Sequence, residues 1–238
     1  MSIFGTEIQT EVYSIIIVSA IVGTIIFVVN RSLKKANPLA KPSGITALAM
    51  LYVNTVEKLT RESMSGNKLY KKYAPYIGLL MVYLFISNTI GLFAISAPTS
   101  NYSVTLALTL ITWFMIQSVA IGTQGWKGFI KGFFEPFAPF VIMNLFGLIA
   151  PLVSMSLRMF GNVLSGSVIM ELLYTFTGWI SSLIPYLGIF NWLGVIVAPA
   201  LHLYFDLFSG FIQMFIFISL TMVYIGNELP ETEKEKES

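Results

Sequence analysis

The sequence predicts an all-α polytopic membrane protein with about five membrane-embedded segments, the last two long, tilted and paired as a hairpin. Three observations predict it. Of the 238 residues, 55% are hydrophobic and only 11% charged, well below the roughly 25% charge of an ordinary water-soluble domain. Apolar runs recur at the length of about 18 residues or more that a helix needs to cross a hydrocarbon layer. The charges are sorted as well: thirteen of the fourteen Lys and Arg fall in three polar stretches separated by apolar ones.

Residues 1–11 form an outer N-terminal segment that carries Glu7 and Glu11 and no Lys or Arg. A secretory signal needs a positive start and a small-residue cleavage site, so residues 12–30 are predicted to be a retained first span. Residues 31–73 hold nine basic residues: Arg31, Lys34, Lys35, Lys41, Lys58, Arg61, Lys68, Lys71 and Lys72. This is a basic cytoplasmic segment whose middle, Ile45 to Leu59, is mildly amphipathic and suits a helix lying on the membrane face. A membrane domain follows over residues 74–226. Its second span covers about Pro75 to Ile95, a neutral loop Ser96 to Ser103, and its third span about Val104 to Ile121. The next loop, 122–136, contains Lys127, Lys131 and Glu135.

From residue 137 to 226 the chain is almost continuously apolar. A break is expected at Gly178 to Trp192, with Pro185, Gly188 and Asn191, flanked by Trp179 and Trp192 as interfacial aromatics. Two helices remain, about Phe140 to Phe176 and Leu193 to Gly226. At about 1.5 Å per residue each is longer than the membrane is thick, so it must tilt, bend or break. Pro151 and Pro199 are the candidate bends. Residues 227–238 form an acidic cytoplasmic tail with Glu228, Glu231, Glu233, Glu235 and Glu237, expected to be solvated. With five crossings, the three basic stretches share one side. The excess of Lys and Arg on that side puts the N-terminus outside and the C-terminus in the cytoplasm.

The absence of cysteine and the single histidine exclude thiolate and His-cluster metal sites. The fourteenth basic residue, Arg158, lies inside an apolar run, in Ser154-Met-Ser-Leu-Arg-Met-Phe-Gly-Asn-Val-Leu-Ser-Gly166. It cannot shed its proton, and a charge at the helix centre costs about 2.5–3.5 kcal/mol on insertion scales. One reading is a snorkelling or salt-bridged arginine that fixes packing. The other is function, and the neighbours favour it. On a helical wheel Ser154, Gly161, Asn162 and Ser165 surround Arg158, a small and polar face that another helix can approach closely.

The last span offers the complement. His202, Asp206, Ser209 and Gln213 recur at i, i+4, i+7 and i+11, one expected stripe facing protein or an aqueous cleft rather than lipid. Carboxylate and imidazole one turn apart can exchange protons. The alternatives are a metal site, for which one His and one Asp are too few ligands, and a polar clamp between helices. Glu171, thirteen residues past Arg158 toward the outer surface, either lines an outer mouth or snorkels.

At these residues the sequence resembles subunit a of the F-type ATP synthase membrane sector. Ser156-Leu-Arg-Met-Phe-Gly-Asn162 is similar to that family's Ser-Leu-Arg-Leu-Phe-Gly-Asn signature, with Met159 in place of a leucine. Gln213 through Tyr224 is similar to its closing signature, and Asn88-Thr-Ile-Gly-Leu92, Pro98-Thr99 and Thr105 are weaker echoes. The likeness covers about Tyr73 to Gly226. It implies a non-catalytic, ion-translocating stator subunit in a bacterial plasma membrane, with two offset half-channels for protons separated by Arg158. Arg158 would face the carboxylates of a ring of small c-type rotor subunits, with Asn162 and Gln213 as polar companions. Peripheral-stalk b-type subunits and membrane lipid are the other implied partners; no cofactor, metal or nucleic acid is implied. Many relatives carry an acid nine residues after the arginine and a histidine seven before the glutamine. Here those positions hold Ser167 and Asp206, so the acid moves to the facing helix, supported by Glu171 or His202. The competing reading is a stand-alone secondary transporter or ion channel with Arg158 and Asp206 as coupling residues. It would be expected to show internal repeats, and none is found. An intramembrane enzyme would need a nucleophile–base pair or metal ligands that the spans lack.

Overall fold

A run of Ile, Val, Leu and Phe in hydrocarbon can satisfy its backbone polar groups in one local way, by bonding within its own helix. The computed structural model, which describes residues 2–3, 6–7, 10–35, 44–64, 69–93, 95–135, 139–183 and 191–229, is built accordingly. Its helices are α1 (Thr10–Lys35), α2 (Ile45–Ser63), α3 (Tyr70–Thr89), α4 (Tyr102–Phe133), α5 (Phe140–Ser182), α6 (Trp192–His202) and α7 (Gly210–Glu228). Short 3₁₀ turns at Ile90–Phe93 and Pro98–Ser100 join α3 to α4, and a π-helix at Leu203–Ser209 joins α6 to α7. A two-residue antiparallel ladder, β1 (Ser2–Ile3) with β2 (Thr6–Glu7), precedes α1. Five stretches are long and apolar enough to cross a membrane: Glu11–Lys34, Tyr70–Phe93, Tyr102–Phe133, Phe140–Ser182 and Trp192–Glu228. The all-α polytopic architecture is therefore the one the sequence predicts.

The boundaries differ, and each difference has a local cause. The loop expected at 122–136 is largely helical, because α4 continues to Phe133 and carries Lys127 and Lys131 with it. The one break in it is Gly125, at φ 71° and ψ 161°, a conformation that a side chain would oppose. Lys131 and Glu135 form an exposed i,i+4 ion pair at 3.6 Å. The helix expected over Ile45 to Leu59 extends to Ser63. The break expected from Gly178 starts later, because α5 runs on to Ser182. Pro151 does not interrupt α5, and α6 continues past Pro199 to His202, so the irregular turn falls after it, at 203–209. Pro185, Gly188, Lys41, Lys68 and the tail from Pro230 lie outside the described residues.

The core forms where α7 meets α3 and α5. Ile77, Leu80 and Leu84 of α3, Met155 and Met159 of α5, and Met214, Phe217, Ile218 and Met222 of α7 are all buried together, with Val56 of α2 closing one end. Half-buried polar groups bridge neighbouring helices. Tyr52 donates to Gly78 O at 2.7 Å, and burial pushes its phenol up to about 12, so this donor stays protonated at any physiological pH. Tyr76 and Thr112 share a bond of 2.8 Å between α3 and α4. Trp113 Nε1 donates to Leu148 O at 2.8 Å, just ahead of Pro151 in α5. Two glycines permit backbone contact: a Cβ on Gly210 would lie 2.9 Å from Asn88 Cβ, and one on Gly226 would lie 2.8 Å from Ser63 O.

The last two spans do pair as a hairpin. Asn191 caps α6 by accepting from Gly194 N at 2.9 Å. Its Nδ2 reaches back to α5, donating to Tyr174 O at 3.1 Å and Thr177 Oγ1 at 3.0 Å. Farther along, Gly166 meets Phe205 and Asn162 meets Ser209, so numbers fall on one helix as they rise on the other, the mark of an antiparallel pair. Burial is lopsided, at 11% of the apolar window of α5 against 44% in the final span. Among the described residues nothing packs against one side of α5.

Candidate functional site

Arg158 sits near the middle of α5 on that open side, exposed together with Ser154, Leu157, Leu164 and Ser165. Its Nη2 donates to Ser154 Oγ at 3.4 Å, one turn away on the same helix. Among the described residues the ion pairs are Lys131–Glu135 and His202–Asp206, so Arg158 has no carboxylate partner there. A Cβ on Gly161 would meet nothing within 4 Å. Among the described residues nothing covers Arg158, Ser154, Gly161 and Ser165, as the wheel predicts, whereas Asn162, expected on the same face, turns to Ser209 and the cleft described next.

The acids and the histidine lie elsewhere. A cleft of about 510 Å³ opens between α5, the start of the α3–α4 connection and the π-helix, lined among others by Asn162, Ser167, Glu171, Tyr174, His202 and Asp206. It gathers five of the seven residues that the sequence singles out. His202 Nδ1 and Asp206 Oδ2 are 2.8 Å apart, and His202 Nε2 lies 3.2 Å from the Tyr174 hydroxyl. Gly91 flanks the carboxylate, since a Cβ there would be 3.2–3.4 Å from the Asp206 Cγ and both oxygens.

The stripe expected along the last span is split. His202 and Asp206 share the cleft, Ser209 turns to α5 and donates to Asn162 Oδ1 at 2.7 Å, and Gln213 is buried at 5% exposure. The cause is the π-helix, whose wider i→i+5 turns shift the angular register that a 3.6-residue period assumes. In the hairpin register set by Gly166 with Phe205 and Asn162 with Ser209, Gln213 comes level with Arg158. It lies inside the helix packing and does not share the open face, and its Nε2 has no hydrogen-bond partner among the described residues. Ser167 is exposed on the cleft, where its Oγ donates to Leu164 O at 2.8 Å. Glu171 lines the cleft and is exposed.

Three residues that shape the cleft are not among the candidate site residues, although Asn88 and Gly91 fall within the Asn88-Thr-Ile-Gly-Leu92 echo. Tyr174 follows Glu171 by three residues, on the same helical face, and that spacing is its one clue. Asn88 is buried, accepts from Thr99 Oγ1 at 3.1 Å, and donates from Nδ2 to Gly210 O at 3.1 Å, tying the α3–α4 connection to the start of α7. Gly91 matters only because Asp206 comes to lie against it. At about 1.5 Å per residue, Asp206, level with position 165 of α5, stands roughly 10 Å along the axis from Arg158, and Glu171 roughly 20 Å.

A family model described as ATP synthase A chain matches residues 12–226. A protein of Propionigenium modestum called ATP synthase subunit a, sodium ion specific, is 36% identical over 68% of this chain, and the match spans 56% of that relative's length. ATP synthase subunit a of Mycoplasma pneumoniae is 33% identical over 90% of this chain and 77% of its own. The subunit a of Staphylococcus aureus is 29% identical over 97% of this chain and 95% of its own.

Proposed function

The chain belongs to the ATP synthase A chain family, as a subunit a of the F-type membrane sector, and from that premise we propose that it is the stationary proton-conducting wall against which a ring of c-type rotor subunits turns. A single observation carries the reading: Arg158 stands on an uncovered helix face with no carboxylate of its own chain among the described residues, roughly 10 Å along the helix axis from Asp206 in a polar cleft. A permanent cation in that setting needs an anion brought to it from outside.

Rotor carboxylates supply that anion. Each crosses lipid protonated, because a bare charge there costs too much. Opposite Arg158 the ionised form is favoured by the nearby cation, and the proton leaves toward the cytoplasm. A fresh proton then arrives through the cleft of Glu171, His202 and Asp206, which serves as the outer half-channel. Arg158 separates the two half-channels, since its charge opposes a proton passing directly between them. The small residues Ser154, Gly161 and Ser165 let the rotor helix come close. The subunit itself catalyses no bond change. It feeds a rotation that drives ATP synthesis elsewhere in the complex, with its N-terminus outside and its C-terminus in the cytoplasm of a bacterial cell, and with b-type stalk subunits holding it still. Each proton crossing at 100 mV supplies about 2.3 kcal/mol, so several must combine per ATP.

Arg158→Ala is expected to abolish ATP-driven proton pumping in inverted membrane vesicles while the complex still assembles. Pumping at the wild-type rate would overturn the proposal.

A further inference from the structure

We propose that a wedge-shaped crevice between α1 and α3 holds one acyl chain of an anionic phospholipid, whose phosphate is bound at the mouth by Arg31 and Lys34. Neither residue belongs to the proton path proposed above.

A helix face that starts buried and ends bare forms one wall. Ser14, Val18 and Val22 of α1 are buried, and both valines pack with Ile90, Val82 and Ile86 at the far end of α3. The same stripe runs on at helical spacing as Ile25, Ile26, Val29 and Leu33, yet Ile25, Ile26 and Leu33 are 41%, 50% and 37% exposed. The two helices thus touch over the outer half of α1 and stand apart over the other half. What separates them is α2. Ser32 of α1 and Thr46 of α2 share a bond of 2.9 Å, whereas Tyr52 of α2 donates to Gly78 O of α3. Six residues of helix put about 9 Å between those contacts, so α2 spaces α1 from α3 without filling the gap. On the opposite wall Ala74 and Gly78 have too little side chain to fill it. The result is a cavity of about 550 Å³, apolar but for Asn30, Tyr52 and Glu57.

Its dimensions select the occupant. From Val22 to Leu33 the crevice is about 16 Å long. That is close to half of a hydrocarbon core about 30 Å thick, the depth of one leaflet. Spread over that length, its volume gives a mean section of roughly 35 Å², less than half that of a helix about 10 Å across. A single extended chain fits there and a helix does not.

The polar end is cationic. A second cavity of about 400 Å³, lined by Phe27, Asn30, Arg31 and Lys34, shares Asn30 with the crevice and so continues it. Arg31 and Lys34 are exposed there and form no ion pair among the described residues. Glu57 is the one acid on the crevice, and it also lines a groove with Lys58 and Arg61, which offset its charge. Over residues 31–72 nine basic residues stand against Glu57 and Glu62 alone, so the rim favours a lipid of net negative charge over a zwitterionic one. Basic sites between membrane helices bind anionic head groups in this way, and an arginine fork suits a phosphate.

The test places the assembled synthase in phosphatidylcholine vesicles that carry a small share of one photoactivatable lipid. The probe is phosphatidylglycerol with the reactive group on an acyl chain, or phosphatidylcholine with the same chain. Variants are compared at equal amounts of assembled complex. In the wild type the phosphatidylglycerol probe is expected to label residues 22–33 and 74–79 several-fold more than the phosphatidylcholine probe. Arg31→Gln combined with Lys34→Gln is expected to remove that preference, while Lys127→Gln, at an exposed cation of α4, leaves it intact. Val29→Trp, which fills the crevice, is expected to cut labelling of residues 74–79 by both probes. Equal labelling by the two probes in the wild type, or the same loss of preference in Lys127→Gln, would mean bulk lipid drawn by general charge and would overturn the proposal. Unchanged labelling in Val29→Trp would overturn it too. So would protection of residues 74–79 from both probes in the wild type together with a disulfide from Ile26→Cys to another subunit, since the occupant would then be a protein helix.

Discussion

At the scale of single residues, the cleft is shaped by a missing side chain as well as by the charged ones. Gly91 lies against the Asp206 carboxylate, and a methyl group there would sit 3.2–3.4 Å from its three terminal atoms. Gly91→Ala is therefore expected to turn the carboxylate out of its bond with His202 and lower proton pumping several-fold, with assembly of the complex unchanged. Gly23, where a Cβ would meet nothing within 4 Å, supplies the control. Gly23→Ala should leave pumping unaltered, and equal loss in both variants would show that Gly91 acts through general helix stability. Arg158 was legible from sequence because a lone cation in an apolar run is conspicuous whatever the fold. Tyr174 was not, because a tyrosine near the end of an apolar helix is ordinary until a histidine from another helix meets it.

At the scale of elements, the π-helix at Leu203–Ser209 is the feature that sequence periodicity could not supply. It lets His202 and Asp206 face the cleft while Ser209 bonds to Asn162 and Gln213 enters the core. The preceding Pro199 removes a backbone donor, yet the helix absorbs that loss and the irregularity falls in the following turns. Immediately after the π-helix, Gly210 lets α7 touch Asn88. Gly210→Ala would force a Cβ to 2.9 Å from Asn88 Cβ, and overpacking of this kind costs about 1–3 kcal/mol. A lowered thermal unfolding temperature in detergent is the expected result, and no change would mean that α3 and α7 can part at this point without cost. Asn191 has a comparable place at the other end of the hairpin, capping α6 and holding the last turns of α5. Asn191→Ala is expected to lose about 0.5–2 kcal/mol as a cap and to loosen the position of Tyr174, whose carbonyl it binds. Reduced thermal stability together with slower pumping checks both effects.

At the scale of the whole molecule, the chain is a wall with one finished side and one open side. The core gathers α2, α3, α5 and α7, while α5 turns Leu157, Arg158, Leu164 and Ser165 outward. An exposed cation among apolar side chains is costly against lipid, which is the physical ground for proposing a partner on that side. The chain has no cysteine, which makes single introduced cysteines clean reporters. Leu157→Cys and Leu164→Cys are expected to cross-link to cysteines placed near the rotor carboxylate. Met155→Cys and Met159→Cys, at 2% and 0% exposure, are expected not to. Cross-linking from the buried pair and none from the exposed pair would place the rotor on a different face.

The sequence by itself determined the number of spans, the helix between the first two of them, the sorting of basic charge and the arginine in the midst of an apolar segment. These follow from composition and run length, which act locally and do not depend on what packs where. Only the tertiary structure decided that Asp206 lies beside Gly91, that Tyr174 reaches His202, and that the polar stripe of the last span divides between cleft and core. Those outcomes depend on the register shift at the π-helix and on contacts between residues 28 to 115 positions apart. The pattern of neighbouring residues carries no record of such contacts.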